Sequence, residues 1–243
     1  MNNKSNHITR QSFKYLDILT VIFVLVLVLS NIASSAKIID WGISLGRLPL
    51  SFDAGTVLFP ISYIIGDVLT EVYGYKRSRR IIWIGFGTLA FSALVLWLVQ
   101  VLPGEATWQA SVGQHSYDQI LGSMSSGSIV IASLAGYLAG SFSNAILMAL
   151  MKVLTKGKLL WTRTIGSSVV GQAFDTFTFI FMATLLGVFP WSLFWSLTIT
   201  NYIFKLIVEI VVTPITYWVV NRLKETEAVD IFDEDTNLSP FKF

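Results

Sequence analysis

The chain has 243 residues, of which 53% are hydrophobic and only 13% are charged, whereas about 25% of the residues of an average soluble domain are charged. It contains no cysteine, which excludes disulfides, thiolate catalysis and cysteine-ligated metals, and only His7 and His115 could supply an imidazole. The formal net charge of +2 does not favour nucleic acid as a partner. This composition indicates an integral membrane protein.

Six apolar stretches follow one another along the chain, and at 1.5 Å per residue each is long enough to cross a bilayer as a helix. We predict these spans at residues 15–36, 54–73, 81–102, 127–154, 166–189 and 193–221. The predicted fold class is therefore an all-α integral membrane protein with six transmembrane helices. Residues 37–53 are expected to form an irregular loop, and Pro60 should bend the second helix because it removes a backbone hydrogen bond.

The charges predict how the chain is oriented. Residues 1–14 are expected to be a cytoplasmic tail, residues 15–222 the membrane domain, and residues 223–243 an acidic, solvated cytoplasmic tail. With both termini in the cytoplasm, 14 of the 17 Lys and Arg residues lie in cytoplasmic segments, and only Lys37 and Arg47 lie outside. This bias is what the positive-inside rule describes, so we expect a multi-pass protein with both termini cytoplasmic.

Two carboxylates, Asp67 and Glu71, lie four residues apart in the second predicted span and therefore share one helix face. A carboxylate at the bilayer centre costs roughly 2.5–3.5 kcal/mol, which a chain tolerates when the group faces other helices, a cation or a ligand. Both residues are therefore candidate binding residues. The alternative is that they lie near the membrane surface and pair with the arginines that follow, Arg77, Arg79 and Arg80.

The fourth span carries small and polar residues at helical spacing. They are Ser128, Ala132, Gly136, Gly140 and Asn144. Gly136 and Gly140 form a small-xxx-small face, which lets the backbone of a neighbouring helix approach closely. Asn144 is a candidate for a ligand contact or an interhelical hydrogen bond.

The fifth and sixth spans carry further polar residues. They are Gln172 and Asp175 on the fifth, and Asn201, Lys205 and Glu209 on the sixth. An ammonium inside a membrane needs a partner, and Asp175 lies at a similar depth to Lys205. We therefore predict that Lys205 contacts Asp175 or Asp67 across helices, with Glu209 as a secondary partner. Such a polar layer is either a binding site or a structural ion network without a ligand.

Four stretches between residues 15 and 222 carry a resemblance: LSNIASSAKIID, LFPISYIIGDVLTEVYGYKRSRRIIWIGF, WTRTIGSSVVGQAFDTFTF and NYIFKLIVEIVVTPITY. They resemble the queuosine precursor transporter family, also called the vitamin uptake transporter family. The resemblance implies a bacterial inner-membrane importer of 7-deazaguanine bases, such as 7-cyano-7-deazaguanine and 7-aminomethyl-7-deazaguanine. It also implies six spans arranged like those of the substrate-binding subunits of energy-coupling-factor transporters.

The family motifs imply substrate-binding roles for several positions of this chain. They are Asn31, Phe59, Asp67, Glu71, Gln172, Asp175 and Lys205, to which the helical spacing adds Asn144 and Asn201. A deazaguanine presents adjacent N–H donors to a carboxylate, and its O6 and 7-substituent need donors such as amides or an ammonium. The flat base also needs a stacking partner, for which the nearby aromatic residues are candidates: Phe59, Tyr63, Phe174, Phe177 and Tyr202.

Other functional classes fit the sequence less well. An enzyme is not expected, because the chain offers neither a metal cluster nor a nucleophile with its base, and we expect no cofactor. The alternative is the substrate-binding subunit of an ATP-driven energy-coupling-factor importer, which would need a separate ATPase because no Walker motif is present. Such subunits typically have an Ala-xxx-Ala seam on the first helix, whereas Ala33 and Ala36 have a different spacing. The expected partners are the base and the lipid bilayer, not nucleic acid, and a homodimer stays open.

Overall fold

The computed structural model describes residues 13–45, 48–125 and 127–242. This part of the chain folds into eight α-helices and one β-hairpin. The helices are α1 (Leu16–Ala36), α2 (Phe59–Tyr73), α3 (Tyr75–Val101), α4 (Ala106–Ser111), α5 (Gly113–Ser125), α6 (Gly127–Leu154), α7 (Leu160–Leu185) and α8 (Phe194–Glu227). The predicted N-terminal tail lies almost entirely outside the described residues.

Five segments are long and apolar enough to cross a membrane. They are Leu16–Ala36, Tyr75–Val101, Gly113–Leu154, Leu160–Leu185 and Trp191–Glu227. They correspond to five of the six predicted spans. The remaining one, predicted at residues 54–73, is represented by α2, which has 15 residues. At 1.5 Å per residue α2 is about 22 Å long, shorter than a hydrocarbon core of about 30 Å.

The segment between α1 and α2 contains an antiparallel hairpin and not the irregular loop expected from the sequence. Strand β1 (Ile38–Leu45) pairs with β2 (Leu48–Asp53), so that Ile38 lies opposite Asp53 and Leu45 opposite Leu48. The prediction was wrong because it was based on the glycines and charged residues of this segment. The segment also contains two runs rich in Ile, Leu, Trp and Phe, which favour extended strands.

Pro60 is the second residue of α2 and does not bend the helix from within. The N–H groups of a first helical turn have no partner inside the helix, so a proline there sacrifices no hydrogen bond. The predicted bend is therefore wrong, and Pro60 marks the start of the helix.

The polar stretch between the second and third long helices forms α4 and α5. The Glu105 carboxylate caps α4 by accepting a hydrogen bond from the Trp108 N–H at 2.9 Å. Helix α5 packs against the end of α3, where Gln100 Nε2 donates to Asp118 Oδ1 at 2.8 Å. At this end of the bundle α1 also meets α5, because Ser35 Oγ donates to the carbonyl oxygen of Ile120 at 2.7 Å.

Helices α6 and α7 pack closely through glycines. A Cβ atom at Gly140 would lie 2.5 Å from the Cβ of Asp175, and one at Gly171 would lie 2.7 Å from the Cβ of Asn144. The predicted small-xxx-small face of α6 is therefore confirmed, and α7 is the helix that approaches it.

The other end of the bundle gathers several helix termini. The Glu227 carboxylate at the end of α8 accepts hydrogen bonds from the main-chain N–H groups of Lys14 and Tyr15, at 3.0 and 2.7 Å, and from Tyr73 Oη at 2.9 Å. The start of α1, the end of α2 and the end of α8 therefore meet. We call this the basic end, since three buried or partly buried cations lie there: Lys152, Arg163 and Lys224.

The segment after α8 folds back onto the junction of α2 and α3. The Asp233 carboxylate accepts a hydrogen bond from the Tyr75 N–H at 2.8 Å, and the Arg79 guanidinium donates to the carbonyl oxygens of Asn237 and Ser239 at 2.9 and 2.8 Å. The expectation of a solvated tail is wrong for these residues. A carboxylate is stabilised at a helix N-terminus, where N–H groups lack partners, and that attraction holds the acidic segment in place.

Gly140→Ala should destabilise the protein by about 1–3 kcal/mol, because the new methyl group overlaps the side chain of Asp175 and forces the two helices apart. The matched control is Gly87→Ala on α3, where no atom lies within 4 Å of the added Cβ and the helix gains up to about 1 kcal/mol. Thermal unfolding of the detergent-solubilised variants measures both effects. Equal stability of the two variants would contradict the close packing.

A cysteine-labelling experiment tests the predicted orientation, because the native chain contains no cysteine. In intact cells an impermeant maleimide should label Ser111→Cys, which is exposed on α4, and should label the exposed Lys158→Cys only after permeabilisation. The reverse pattern would place the basic end outside and overturn the orientation.

Candidate functional site

A cavity of about 600 Å³ lies inside the bundle, with walls formed by every long helix and by α2. Its wall is mostly apolar. The polar residues that line it include Ser30, Asn31, Ser62, Tyr63, Ser133, Tyr137, Ser141, Asn144, Asp175, Asn201 and Lys205. A mostly apolar cavity with a few convergent polar groups is the usual form of a small-molecule binding site, so this cavity is the candidate site.

The strongest polar contact in the cavity wall joins α7 to α8. Lys205 Nζ lies 2.6 Å from Asp175 Oδ2, and the two side chains keep 21% and 14% of their surface exposed. The predicted contact between Lys205 and Asp175 is confirmed. The carboxylate also lies against α6, since a Cβ at Gly136 would be 3.1 Å from Asp175 Oδ1. The glycine face of α6 thus makes room for the charged pair at the cavity.

A second polar contact lies just behind the cavity wall. Asn144 Nδ2 donates a hydrogen bond to Asp67 Oδ1 at 2.8 Å, and Asp67 is fully buried. Asn144 itself lines the cavity, so it makes the interhelical hydrogen bond and still faces the space where a ligand would bind. Tyr63, another lining residue, lies within electrostatic range of Asp67 and Asp175.

The remaining amides in the wall are held by their own helices. Asn31 Nδ2 donates to the carbonyl oxygen of Leu27 at 2.8 Å, and Asn31 Oδ1 accepts a hydrogen bond from Ser133 Oγ at 3.3 Å. Asn201 Nδ2 donates to the carbonyl oxygen of Leu197 at 2.9 Å. These contacts orient the amides, and no hydrogen bond from another described residue to the amide oxygen of Asn201 is found.

Glu71 lies away from the cavity, at the centre of an ion cluster at the basic end. The Arg163 guanidinium donates to both of its carboxylate oxygens at 2.7 Å, and Lys224 Nζ lies 2.5 Å from Oε1. Lys152 Nζ donates to the Glu71 carbonyl oxygen at 2.5 Å. Glu71 is fully buried, and cations from three other helices compensate its charge, so the cluster joins α2, α6, α7 and α8. None of these cations is an arginine that follows α2, which was the alternative considered from the sequence.

Asp230 extends the ion cluster beyond the end of α8. Its carboxylate lies 2.5 Å from Lys152 Nζ and 2.9 Å from Lys224 Nζ. Partial burial acts to raise the pKa of this carboxyl, but the hydrogen bonds and charges of the two lysines hold the pKa below its usual value. Asp230 is therefore ionised at neutral pH and offsets part of the positive charge of the cluster.

Residues 53–219 match the family described as "Putative vitamin uptake transporter". This range is more than half of the chain. The chain belongs to this family. The matched range begins after α1, so it includes every cavity-lining residue except those contributed by that helix. The family consists of transporters and not of enzymes. A cavity lined mostly by apolar residues of long helices agrees with that role.

Two relatives carry a more specific name. The chain is 28% identical over 172 residues to the "Probable queuosine precursor transporter" of Bacillus subtilis (strain 168), an alignment that covers 69% of this chain and 71% of the relative. It is 27% identical over 169 residues to the protein of the same name from Haemophilus influenzae, covering 68% of this chain and 67% of the relative. No solved structure matches the chain significantly.

The residues implied by the family motifs occupy three different places in this family member. Asn31, Asp175 and Lys205 line the cavity, as do Asn144 and Asn201, which were added from helical spacing. A second group is buried outside the cavity wall: Asp67, Glu71 and Gln172. The side chain of Phe59 lies outside the described part of the structure. Among the described residues, no three His, Asp or Glu side chains are grouped to hold a metal ion.

Aromatic residues in the wall differ from most of those proposed from the sequence. Tyr63 lines the cavity, whereas Phe174 and Phe177 are about half exposed on the outer surface of the bundle. The additional aromatic lining residues are Phe23, Tyr137, Phe179 and Phe189. The sequence prediction missed Tyr137. A pattern that could have indicated it is a second stripe on α6, parallel to the glycine face, with residues at i, i+4 and i+8: Ser133, Tyr137 and Ser141.

Glu71→Gln should destabilise the protein by about 3–5 kcal/mol, because it leaves the Arg163 guanidinium and two ammonium groups without their central carboxylate. The control is Glu225→Gln, whose partner Arg222 is exposed, and an exposed pair contributes about 1 kcal/mol or less. Thermal unfolding in detergent gives the comparison. If Glu71→Gln unfolds like the control, the cluster does not hold the basic end together.

Proposed function

We propose that this chain imports queuosine precursors, which are 7-deazaguanine bases, across the bacterial inner membrane. The observation that carries the proposal is the Asp175–Lys205 pair, because it places an acceptor and a donor side by side in the wall of the cavity. The family match supports transport, and the names of the two relatives support the substrate class.

The charged pair has the hydrogen-bonding pattern that a deazaguanine requires. The pyrimidine edge of the base carries adjacent N–H donors, and the Asp175 carboxylate can accept them as a charge-assisted pair. The Lys205 ammonium can then donate to the O6 atom, and Asn201 offers an amide to the 7-substituent. The two charges neutralise each other, which offsets the cost of placing them among apolar helices.

The size and the walls of the cavity also suit a bicyclic base. Small-molecule sites typically enclose about 300–1,000 Å³, and this cavity encloses about 600 Å³. Tyr63, Tyr137 and Phe179 supply aromatic surfaces in the wall, and stacking of a base on such a surface contributes about 1–3 kcal/mol.

We further propose that the chain crosses the membrane six times, with α2 as the short crossing and both termini in the cytoplasm. Support comes from the basic end, where the start of α1 and the end of α8 share the Glu227 carboxylate. An even number of crossings returns the chain to the side from which it started. The concentration of lysine and arginine at that end agrees with the positive-inside rule.

Uptake by cells that express only this gene separates a solitary carrier from a binding subunit. Cells lacking their own deazaguanine transporter should accumulate radiolabelled 7-cyano-7-deazaguanine once this chain is produced. Uptake that appears only after an energy-coupling-factor ATPase is added would favour the alternative, a substrate-binding subunit, because the chain has no Walker motif of its own.

Asp175→Asn should reduce uptake per folded protein at least tenfold, because an amide presents one donor and one acceptor where the base needs two acceptors. The control is Asp235→Asn, an exposed aspartate in the C-terminal segment. Initial uptake rates, normalised to the amount of protein in the membrane, give the result. Wild-type uptake by a well-folded Asp175→Asn variant would remove this residue from the site.

A further inference from the structure

We propose that Asp67 and Glu209 form a proton-binding site that couples movement of the base to the proton gradient across the membrane. The inference rests on the proposed function, since it concerns what drives transport through the same cavity. It assigns to Asp67 a role in proton binding and not in direct contact with the base, and it gives Glu209 a function.

The two carboxyl groups are both buried in the interior, one on α2 and one on α8. Asp67 is 0% exposed and Glu209 is 2% exposed, and they are near enough for their charges to interact. One oxygen of each group, Asp67 Oδ2 and Glu209 Oε1, is buried without a hydrogen-bond partner among the described residues. Two neighbouring carboxylates removed from water do not both stay ionised unless a cation compensates them.

The charges around this pair are committed to other contacts. Tyr63 and Glu71 on α2 lie within range of the charges of this pair, Asp175 on α7 lies within range of Tyr63, and Lys205 lies one turn before Glu209 on α8. Lys205 forms its salt bridge with Asp175, and Glu71 holds the cations of the basic end. No salt bridge among the described residues includes Asp67 or Glu209. A proton is the smallest cation that can compensate the pair.

Asn144 connects this pair to the cavity. Its Nδ2 donates to Asp67 Oδ1 at 2.8 Å, while its Oδ1 is buried without a hydrogen-bond partner among the described residues. A base bound in the cavity and a proton bound to Asp67 therefore act on the same amide, so each changes the affinity for the other. Carrying one proton with each neutral base moves one positive charge inward.

Transport by the purified full-length protein in liposomes tests the coupling. The probe is 7-cyano-7-deazaguanine, and the membrane potential is clamped. An acidic exterior should accelerate net uptake at least tenfold relative to liposomes with the same pH on both sides. Exchange of labelled for unlabelled base across the same membrane needs no net proton movement and should proceed without a gradient. Asp67→Asn and Glu209→Gln each imitate the protonated group, so each should lose the acceleration by the pH gradient. Asp235→Asn, an exposed carboxylate, should behave as the wild type.

Infrared spectroscopy gives a readout that needs no substrate. The wild type at neutral pH should show the carbonyl stretching band of a protonated carboxylic acid, and the Asp67→Asn, Glu209→Gln double variant should lack it. Exchange without any effect of the pH gradient overturns the proton coupling and leaves the proposed function standing. Failure of exchange in the wild type and in the variants alike overturns the proposed function. The infrared band then tests the proton site separately. If the wild type lacks the band, the proton site is overturned.

Discussion

The structure depends on the requirement that a charge buried among apolar helices be compensated. Glu71 is fully buried, and the guanidinium of Arg163 meets both of its carboxylate oxygens at 2.7 Å. Removing one member of such a cluster leaves an uncompensated charge, so the contact constrains where four helices end. Because these helices meet at the basic end, the cluster fixes how they are arranged around the cavity.

A second constraint, the close packing of α6 and α7, decides what the cavity can bind. Glycines at Gly136 and Gly140 let α7 approach until Asp175 lies directly against the α6 backbone. The carboxylate is thereby held at the cavity wall, 2.6 Å from the ammonium of Lys205 on the next helix. The same charged pair that joins α7 to α8 therefore offers a ligand both an acceptor and a donor.

The buried charges consequently have three different roles. The cluster at the basic end, centred on Glu71, is compensated by several cations and serves the architecture. The pair of Asp175 and Lys205 is compensated but faces the cavity, where a ligand can compete for its hydrogen bonds. The carboxyls of Asp67 and Glu209 lack a salt bridge among the described residues, and this is why they are assigned to the proton.

Composition and helical spacing alone determined the membrane class, five of the long spans, the glycine face of α6 and the pairing of Lys205 with either Asp175 or Asp67, between which the structure decides for Asp175. These features depend on residues that are near one another in the sequence. The length of an apolar stretch, the spacing of small residues along a helix and the cost of a buried charge can each be read from one or two segments. Only the tertiary structure decided that Glu71 pairs with Arg163, that the segment after α8 returns to the start of α3, and that Tyr137 faces the cavity. Each of these depends on which distant residues meet, and a residue's own neighbours in the chain do not contain that information.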